Sequence, residues 1–422
     1  MSNNEQLTAI LIGAGPRAGA YTRRFALNNI RLVAVAEPDE ERRNKVKEEF
    51  NLPEKACYNG YKEILGEDKM AELAIICTND RQHIEPSEMA VKRGYHILLE
   101  KPISPIQEEV YALGELAGSY DKVFAICHVL RYSQFFSTIK EYITNGSIGK
   151  IISVNHNENI GYWFQAQNFV RGKWNNSKTT SPMILAKSCH DFDILLYLIG
   201  VNCIRLSSFG HLSHFRPENA PEGATKYCLD GCPHFKTCQY NIVKINVDPP
   251  PHIDRYRVPW KYIEDAESYI EDMKTSRYGR CVYYCDNDVV DHQVVSMEFE
   301  DGITAVFTMC AFNYEHSRSI KIMGTEGEIS GDTLNGEIIY KSFKTGIVER
   351  IEIPKAKSGH SGGDDGLLAA VSDAIKGKNT NKSSAEESVQ SHMMAFAAEQ
   401  SRLEGGTPIN IKEYTKKFAP SR

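Results

Sequence analysis

LTAILIGAGPRAG, residues 7–19, is an apolar run that stops at a glycine turn and continues into a helix-like stretch. Gly13 ends the run, and Gly15 would let the backbone approach a pyrophosphate held at the N-terminus of the following helix. Ala18 takes the third small-residue position of this fingerprint, with Pro16 and Arg17 inside the turn. One helix and one strand further on, LVAVAEP (residues 32–38) leaves Glu37 at a strand end. A carboxylate there accepts hydrogen bonds from both ribose hydroxyls of an adenosine and repels a 2′-phosphate, so the pattern favours NAD over NADP. Arg42 and Arg43 pull the other way, since a guanidinium pairs with a 2′-phosphate, although both also fit a solvated helix face.

Working outward, LTAILIG, RLVAVAE, ELAIICT, HILLEKP and KVFAICH are short apolar runs separated by polar-faced helical stretches. That alternation predicts a doubly wound parallel sheet over residues 1–129. The carboxyl ends of its strands place Gly13, Glu37, Thr78, Glu100, Lys101 and His128 along one edge, where open α/β sheets bind ligands.

After about residue 130 the period changes. A helix is predicted over residues 133–144, and SPMILAKSCHDFDILLYLIG (181–200) reads as one helix that makes His190 and Asp193 surface neighbours. HQVVSMEFEDGITAVFTMCAF (292–312) is a hairpin around Asp-Gly. Further alternating segments predict an α+β domain over 130–422 with a large, open-faced, mainly antiparallel sheet. Helices are expected near 364–376 and 385–403, and residues 205–285, rich in Pro, His, Cys and Tyr, read as an irregular insertion.

The chain of 422 residues is 41% hydrophobic and 25% charged with a formal charge of −6, an ordinary globular composition. With no basic stripe, nucleic acid is not an expected partner. The polar start MSNNEQLTAI and the lack of a long apolar run predict no signal peptide and no membrane span, hence a soluble, cytoplasmic protein. Eleven cysteines in such a chain do not read as a disulfide framework. Cys77 and Cys127 read as packed hydrophobes. CLDGCPHFKTC and GRCVYYC group Cys228, Cys232, Cys238 and Cys281 as candidate ligands of a structural zinc, with Cys285 or His234 as alternatives. An iron–sulfur cluster or two disulfides are the other readings.

These landmarks together resemble the glucose-fructose oxidoreductase and inositol dehydrogenase (Gfo/Idh/MocA) family. The resemblance runs over nearly the whole chain: the glycine turn, Glu37, ICTND with His83, the EKP of Glu100 to Pro102, Arg131, and the segment with His190 and Asp193. It implies an N-terminal Rossmann domain, oxidation of a hydroxyl on a sugar, sugar acid or cyclic polyol, and a C-terminal sheet that mediates a homo-dimer or homo-tetramer. It also implies that Gly13, Gly15, Pro16, Arg17, Glu37, Thr78, Asn79, His83, Glu100, Lys101 and Arg131 hold the cofactor. Lys101 is then the acid/base and His190 its assistant. The chemistry agrees, because hydride leaves a carbinol carbon only as the hydroxyl proton departs, and a lysine can take that proton.

The family pattern commonly has an aspartate four residues before the histidine; this chain has Ala186 there, next to Lys187. Either Lys187 offers a cation to an acidic substrate, or it points away and Lys101 and His190 suffice. Substrate contacts are expected from residues 156–174 (HNENIGYWFQAQNFVRGKW), where Tyr162, Trp163, Arg171 and Trp174 suit a sugar's apolar faces and hydroxyl edges. Asp193 and His360 complete the candidate set, His360 from SGHSGGDDG, where Asp364 also reads as a helix cap. Two rival readings stay open: a redox-neutral glycosidase or lyase that oxidises its substrate transiently with bound NAD, and a non-catalytic sensor.

Overall fold

The computed structural model describes residues 6–253, 265–354 and 360–419; the middle of the predicted insertion, 254–264, lies outside them. Strands β1 (Leu7–Ile12), β2 (Ile30–Ala36), β3 (Cys57–Tyr58), β4 (Leu73–Ile76), β5 (His96–Leu99) and β6 (Phe124–Ile126) form one sheet in the order β3-β2-β1-β4-β5-β6. Every pair is parallel. The order reverses beside β1, so the crevice above Gly13 is a topological switch point. The strands are apolar on both faces because both are covered.

The second sheet contains β7 (Ile151–Gly161), β8 (Cys203–His211), β9 (His292–Phe299), β10 (Thr304–Asn313), β11 (Ser317–Gly324), β12 (Gly327–Asp332), β13 (Glu337–Ser342), β14 (Val348–Glu352) and β15 (Ile409–Asn410). Its order is β14-β13-β12-β11-β7-β10-β9-β8-β15, antiparallel except where β7 meets β10. The β9–β10 hairpin turns at Asp301 and Gly302, both left-handed with φ of 59° and 74°, as a tight Asp-Gly turn requires. Cys203–His211 pairs with β9, so the irregular segment starts after His211 rather than near residue 205.

Two differences from the sequence expectation shape the site. Residues 181–200 are two helices, Met183–Ala186 and Cys189–Ile199, broken at Lys187 and Ser188. And the chain returns to the first sheet after finishing the second: Leu367, Leu368 and Val371 of helix Gly363–Ile375 join the apolar cluster behind β1, while Ser384 bridges Ala125 beside β6. The helix Ala385–Leu403, capped by Ser384, then runs between the two sheets.

Candidate active site

The glycine turn is built for close approach. Gly13 has φ of 87°, and a Cβ there would lie 2.7 Å from the Cys77 carbonyl oxygen at the end of β4. A Cβ on Gly15 would meet nothing within 4 Å, so the turn's outer side is open to a ligand, as a pyrophosphate cradle needs. Pro16 begins helix Pro16–Thr22. The buried Glu37 carboxylate accepts from Ala14 N–H at 2.6 Å and Asp39 N–H at 3.0 Å, which fixes it against the turn. Each oxygen keeps a further lone pair for a ribose hydroxyl. Arg43 donates to the Glu37 carbonyl at 2.6 Å.

Beside β4, Thr78 Oγ1 donates to the Gln82 carbonyl at 2.9 Å, and Asn79 Oδ1 accepts from Lys173 Nζ at 3.4 Å. His83 is buried, its two nitrogens at the carbonyls of Pro102 (2.7 Å) and Thr78 (3.2 Å). It ties the loop after β4 to the end of EKP.

Strand β5 delivers Glu100 and Lys101 to the same crevice. Glu100 accepts from Arg17 Nε at 2.7 Å and from the Tyr21 hydroxyl at 2.6 Å, and Arg17 reaches on to Asp364 at 2.9 Å. Burial works to raise the Glu100 pKa, but Arg17, Tyr21 and Lys101 outweigh it and hold the carboxyl below its usual range. Two parts of the chain far apart in sequence, the glycine turn and the start of helix Gly363–Ile375, are thereby pinned to EKP.

The break after Ala186 explains the missing aspartate. A helix end leaves carbonyls without an intrahelical partner, and the Ala186 oxygen accepts from Lys101 Nζ at 2.7 Å. The backbone carbonyl of Ala186, the position at which the resemblance leads one to expect an aspartate, thus holds the lysine. Lys187 turns to the sheet and pairs with the fully buried Glu158 at 2.9 Å, which also pairs with Arg318. Arg318 Nε reaches Asp191 at 2.8 Å, and His156 Nε2 shares the same oxygen at 2.8 Å. Burial lowers the Lys187 pKa to about 8 against the pull of Glu158. Of the two sequence readings, the structure has Lys187 neutralised by a carboxylate.

His190 is 2% exposed and neither ring nitrogen has a hydrogen-bond partner. Burial, with Lys101, His360 and His128 adding to it, holds its pKa well below the ordinary value, so the imidazole is neutral. Its ring lies 5.9 Å from that of His128 and 5.5 Å from that of His360. A buried, unsatisfied imidazole at a strand-end crevice is a group waiting for a polar ligand.

Other candidates stand apart from this cluster. Arg131 and Asp193, read as cofactor and substrate contacts, are buried and committed to each other in a two-pronged pair at 2.8 and 2.7 Å. Arg171 is 1% exposed and donates to the carbonyls of Arg280 and Tyr240, both at 2.7 Å, so it anchors the insertion instead of facing the crevice. Trp163 is buried among Phe164 and His316. Tyr162 and Trp174 are half-buried; the Tyr162 hydroxyl lies 3.2 Å from His252 Nε2, and Trp174 lies under Lys173 Nζ at 4.4 Å.

The zinc expectation is corrected. Among the described residues no group of three or more His, Cys, Asp or Glu side chains is arranged to hold a metal ion. Cys228, Cys232, Cys238 and Cys281 carry free thiols, and Cys238, Cys281 and Cys285 pack against Phe215, Tyr240 and Tyr283. In the described part of the insertion Cys228, Cys238, Cys281 and Cys285 pack with apolar and aromatic side chains.

Sequence reasoning missed Glu158, Arg318, Asp191 and the Ala186 carbonyl. A signal for two of the network existed: β7 buries alternate residues, and His156 and Glu158 fall on that inward face with Val154 and Ile160. Polar residues at buried strand positions mark a network.

Residues 7–128 match the family model described as "Oxidoreductase family, NAD-binding Rossmann fold", and residues 140–411 match its "C-terminal alpha/beta domain". The putative oxidoreductase YteT of Bacillus subtilis is 25% identical over 320 residues, 70% of this chain and 71% of its own length. The scyllo-inositol 2-dehydrogenase (NAD(+)) of the same organism is 26% identical over 49% of this chain and 58% of its own. Among solved structures, levoglucosan dehydrogenase in complex with NADH and levoglucosan superposes with a TM-score of 0.71 at 16% identity, covering 96% of this chain and 100% of that one. An Agrobacterium radiobacter oxidoreductase in complex with NAD+, L-tartaric acid and magnesium gives 0.69 at 13% identity, covering 97% and 99%. These two show the shared fold. With both domain models matched in order around the geometry above, the chain belongs to the Gfo/Idh/MocA oxidoreductase family and carries its NAD-binding Rossmann domain.

Proposed function

We propose that this protein is an NAD-dependent dehydrogenase that oxidises a secondary hydroxyl of a sugar, sugar acid or cyclic polyol. The observation that carries the reading is that Lys101, at the end of β5, is held by the Ala186 carbonyl four residues before the buried, unpartnered His190, whose ring lies 5.9 Å from His128 at the end of β6. Gly13, Gly15 and Pro16 frame the space for the pyrophosphate, Glu37 the adenosine ribose, and Thr78, Asn79, His83 and Glu100 the crevice toward the nicotinamide. The bound nicotinamide supplies the hydride acceptor. Lys101 takes the hydroxyl proton, and the Ala186 carbonyl holds Nζ in place without competing for that proton. His190 hydrogen-bonds the reacting oxygen or its neighbour. Lys173, which reaches Asn79, and Trp174 beneath it wall the substrate side.

Glu37, fixed by Ala14 and Asp39, supports NAD over NADP, because a 2′-phosphate would meet a buried carboxylate. On the outer face of the second sheet, Phe209, Val306 and Phe312 are 55%, 39% and 44% exposed, which supports a homo-dimer or homo-tetramer. No helix among the described residues is long and apolar enough to cross a membrane.

The test is the yield of reduced nicotinamide, followed by absorbance, when the protein and excess NAD meet a panel of cyclitols, sugars, sugar acids and glycosides. One reduced cofactor per substrate consumed is the expected result. Consumption of substrate with at most one equivalent of reduced cofactor per site would overturn it in favour of internal, redox-neutral chemistry.

A further inference from the structure

Four histidines from four parts of the chain stand ring against ring. His360 lies 5.5 Å from His190, His190 5.9 Å from His128, and His128 5.6 Å from His392. Only one end of this row reaches solvent: His360 has 27% of its side chain exposed, whereas the other three are buried.

The buried end cannot pass a proton on. His392 Nδ1 lies 2.8 Å from the Ser388 carbonyl, which can only accept, so Nδ1 carries the hydrogen. His392 Nε2 accepts from the Ile103 amide at 3.0 Å, so both nitrogens are spent. Neither nitrogen of His128 has a hydrogen-bond partner, and the Asp193 carboxylate 3.6 Å away is already occupied by Arg131. The outer end is different. His360 Nδ1 lies 3.4 Å from the buried Asp364 carboxylate, itself anchored by Arg17 at 2.9 Å. A carboxylate there selects the tautomer with hydrogen on Nδ1 and leaves the Nε2 lone pair free. The groups facing His360 are Asp364 in the first turn of the helix that follows it, Arg17 from the glycine-turn helix, His190, and Arg318 from β11. His360 and Ser361 hold left-handed backbones, φ 52° and 53°, ahead of Gly362 at 86°. Such conformations cost free energy and persist where the surroundings impose them.

We propose that His360, oriented by Asp364, is the residue through which the substrate's hydroxyl proton leaves the site for solvent. The inference rests on the dehydrogenase reading above. In each turnover the carbinol C–H bond breaks and its electron pair goes to the bound NAD+, the O–H bond breaks, and the C=O bond forms. The hydroxyl proton goes to Lys101 Nζ. The Ala186 carbonyl accepts a hydrogen bond from Nζ but cannot take the proton away. His190, both nitrogens unpartnered and four residues after the Ala186 carbonyl that holds Lys101 Nζ, relays the proton to His360 Nε2, directly or over one water, and His360 releases it to bulk solvent. The products are the carbonyl compound, reduced cofactor and one proton in solution.

The test compares wild type with His360→Asn and Asp364→Asn. His360→Asn is expected to lower kcat at least tenfold while KM and the dissociation constant of NAD+ stay within about twofold, and added imidazole restores most of the loss. A kcat within twofold of wild type, or a loss confined to KM and not restored by imidazole, overturns the proposal. Independently of any substrate, ¹⁵N NMR of the ring, assigned with His360→Asn, should show hydrogen on Nδ1 in wild type and a shift toward the other tautomer in Asp364→Asn. An unchanged tautomer in that variant removes the Asp364–His360 pair even if the panel yields no reduced nicotinamide. Failure of the panel with an intact tautomer shift instead refutes the oxidation of a hydroxyl, and the proton route with it.

Discussion

Lys101 Nζ donates to the carbonyl oxygen of Ala186 at 2.7 Å across 85 residues of sequence, and that bond exists because a helix stops at Ala186. The first consequence is catalytic. Lys101→Ala should lower kcat by about a hundred- to ten-thousand-fold, the range for loss of a general base, with NAD+ affinity unchanged within about threefold. Steady-state rates on the substrate class found in the panel, together with a cofactor binding titration, check it; near-normal turnover would remove the lysine from the chemistry.

Arg131 and Asp193 form a buried, two-pronged pair. Taking away one member strands the other's charge, at a cost of about 3–5 kcal/mol. Asp193→Ala should therefore unfold at much lower denaturant concentration than wild type, whereas Lys101→Ala should not. Equilibrium urea melts of both variants separate the structural pair from the catalytic lysine.

Acid should destabilise the fold through its buried histidines. His392 is pushed down to about 3, first by burial and then by His128, from an ordinary value of 6.5. Below 6.5 the unfolded chain takes a proton that the folded one refuses. The stability from this group is fully present above about pH 6.5 and is lost as pH falls toward 3, at about 1.4 kcal/mol per pH unit. His392→Gln, whose amide oxygen can still accept from Ile103, should show a flatter fall in melting temperature between pH 6.5 and 4. A parallel fall in both proteins would contradict this.

Lys187 makes the corresponding prediction at alkaline pH. Its folded pKa of about 8 lies below the ordinary 10.5 because burial outweighs Glu158. Between those values the unfolded chain binds the extra proton, so this contribution is fully present above pH 10.5 and is lost as pH falls to 8. The melting temperature of wild type relative to Lys187→Met should rise from pH 8 to pH 10. A constant difference would mean that Lys187 keeps its proton throughout.

Glu37 should set cofactor choice. Glu37→Ala removes the carboxylate that would repel a 2′-phosphate and leaves the Arg43 guanidinium nearby. The ratio of NAD+ to NADP+ affinity should fall by at least tenfold, measured by titration with each cofactor. An unchanged ratio would place the discrimination elsewhere.

The first domain was legible because its signals are local. An apolar run ending at Gly13, the acid at Glu37 and the punctuation of EKP each depend on a few neighbouring residues whose backbone conformation or burial their own side chains dictate. The β9–β10 hairpin was legible for the same reason, since Asp301 and Gly302 tolerate positive φ. The helix break at Lys187 was not. MILAKSCHDF has neither glycine nor proline, and Pro182 precedes the first helix, so local propensity runs straight through a break that tertiary contacts impose: Lys101 takes the Ala186 carbonyl and Glu158 takes Lys187.

By itself, the amino-acid sequence determined the parallel first sheet, the mainly antiparallel second sheet and the glycine turn, and it singled out Lys101 and His190 as candidates. Only the tertiary structure decided the partners: that Arg131 belongs to Asp193, that Arg171 holds the insertion, that Lys187 answers Glu158, and that His360 meets His190. The physical reason is that propensity and hydrophobic period act over a few residues. Buried charges and imidazoles, by contrast, are satisfied by whatever group the folded chain brings within 3 Å, however distant in sequence.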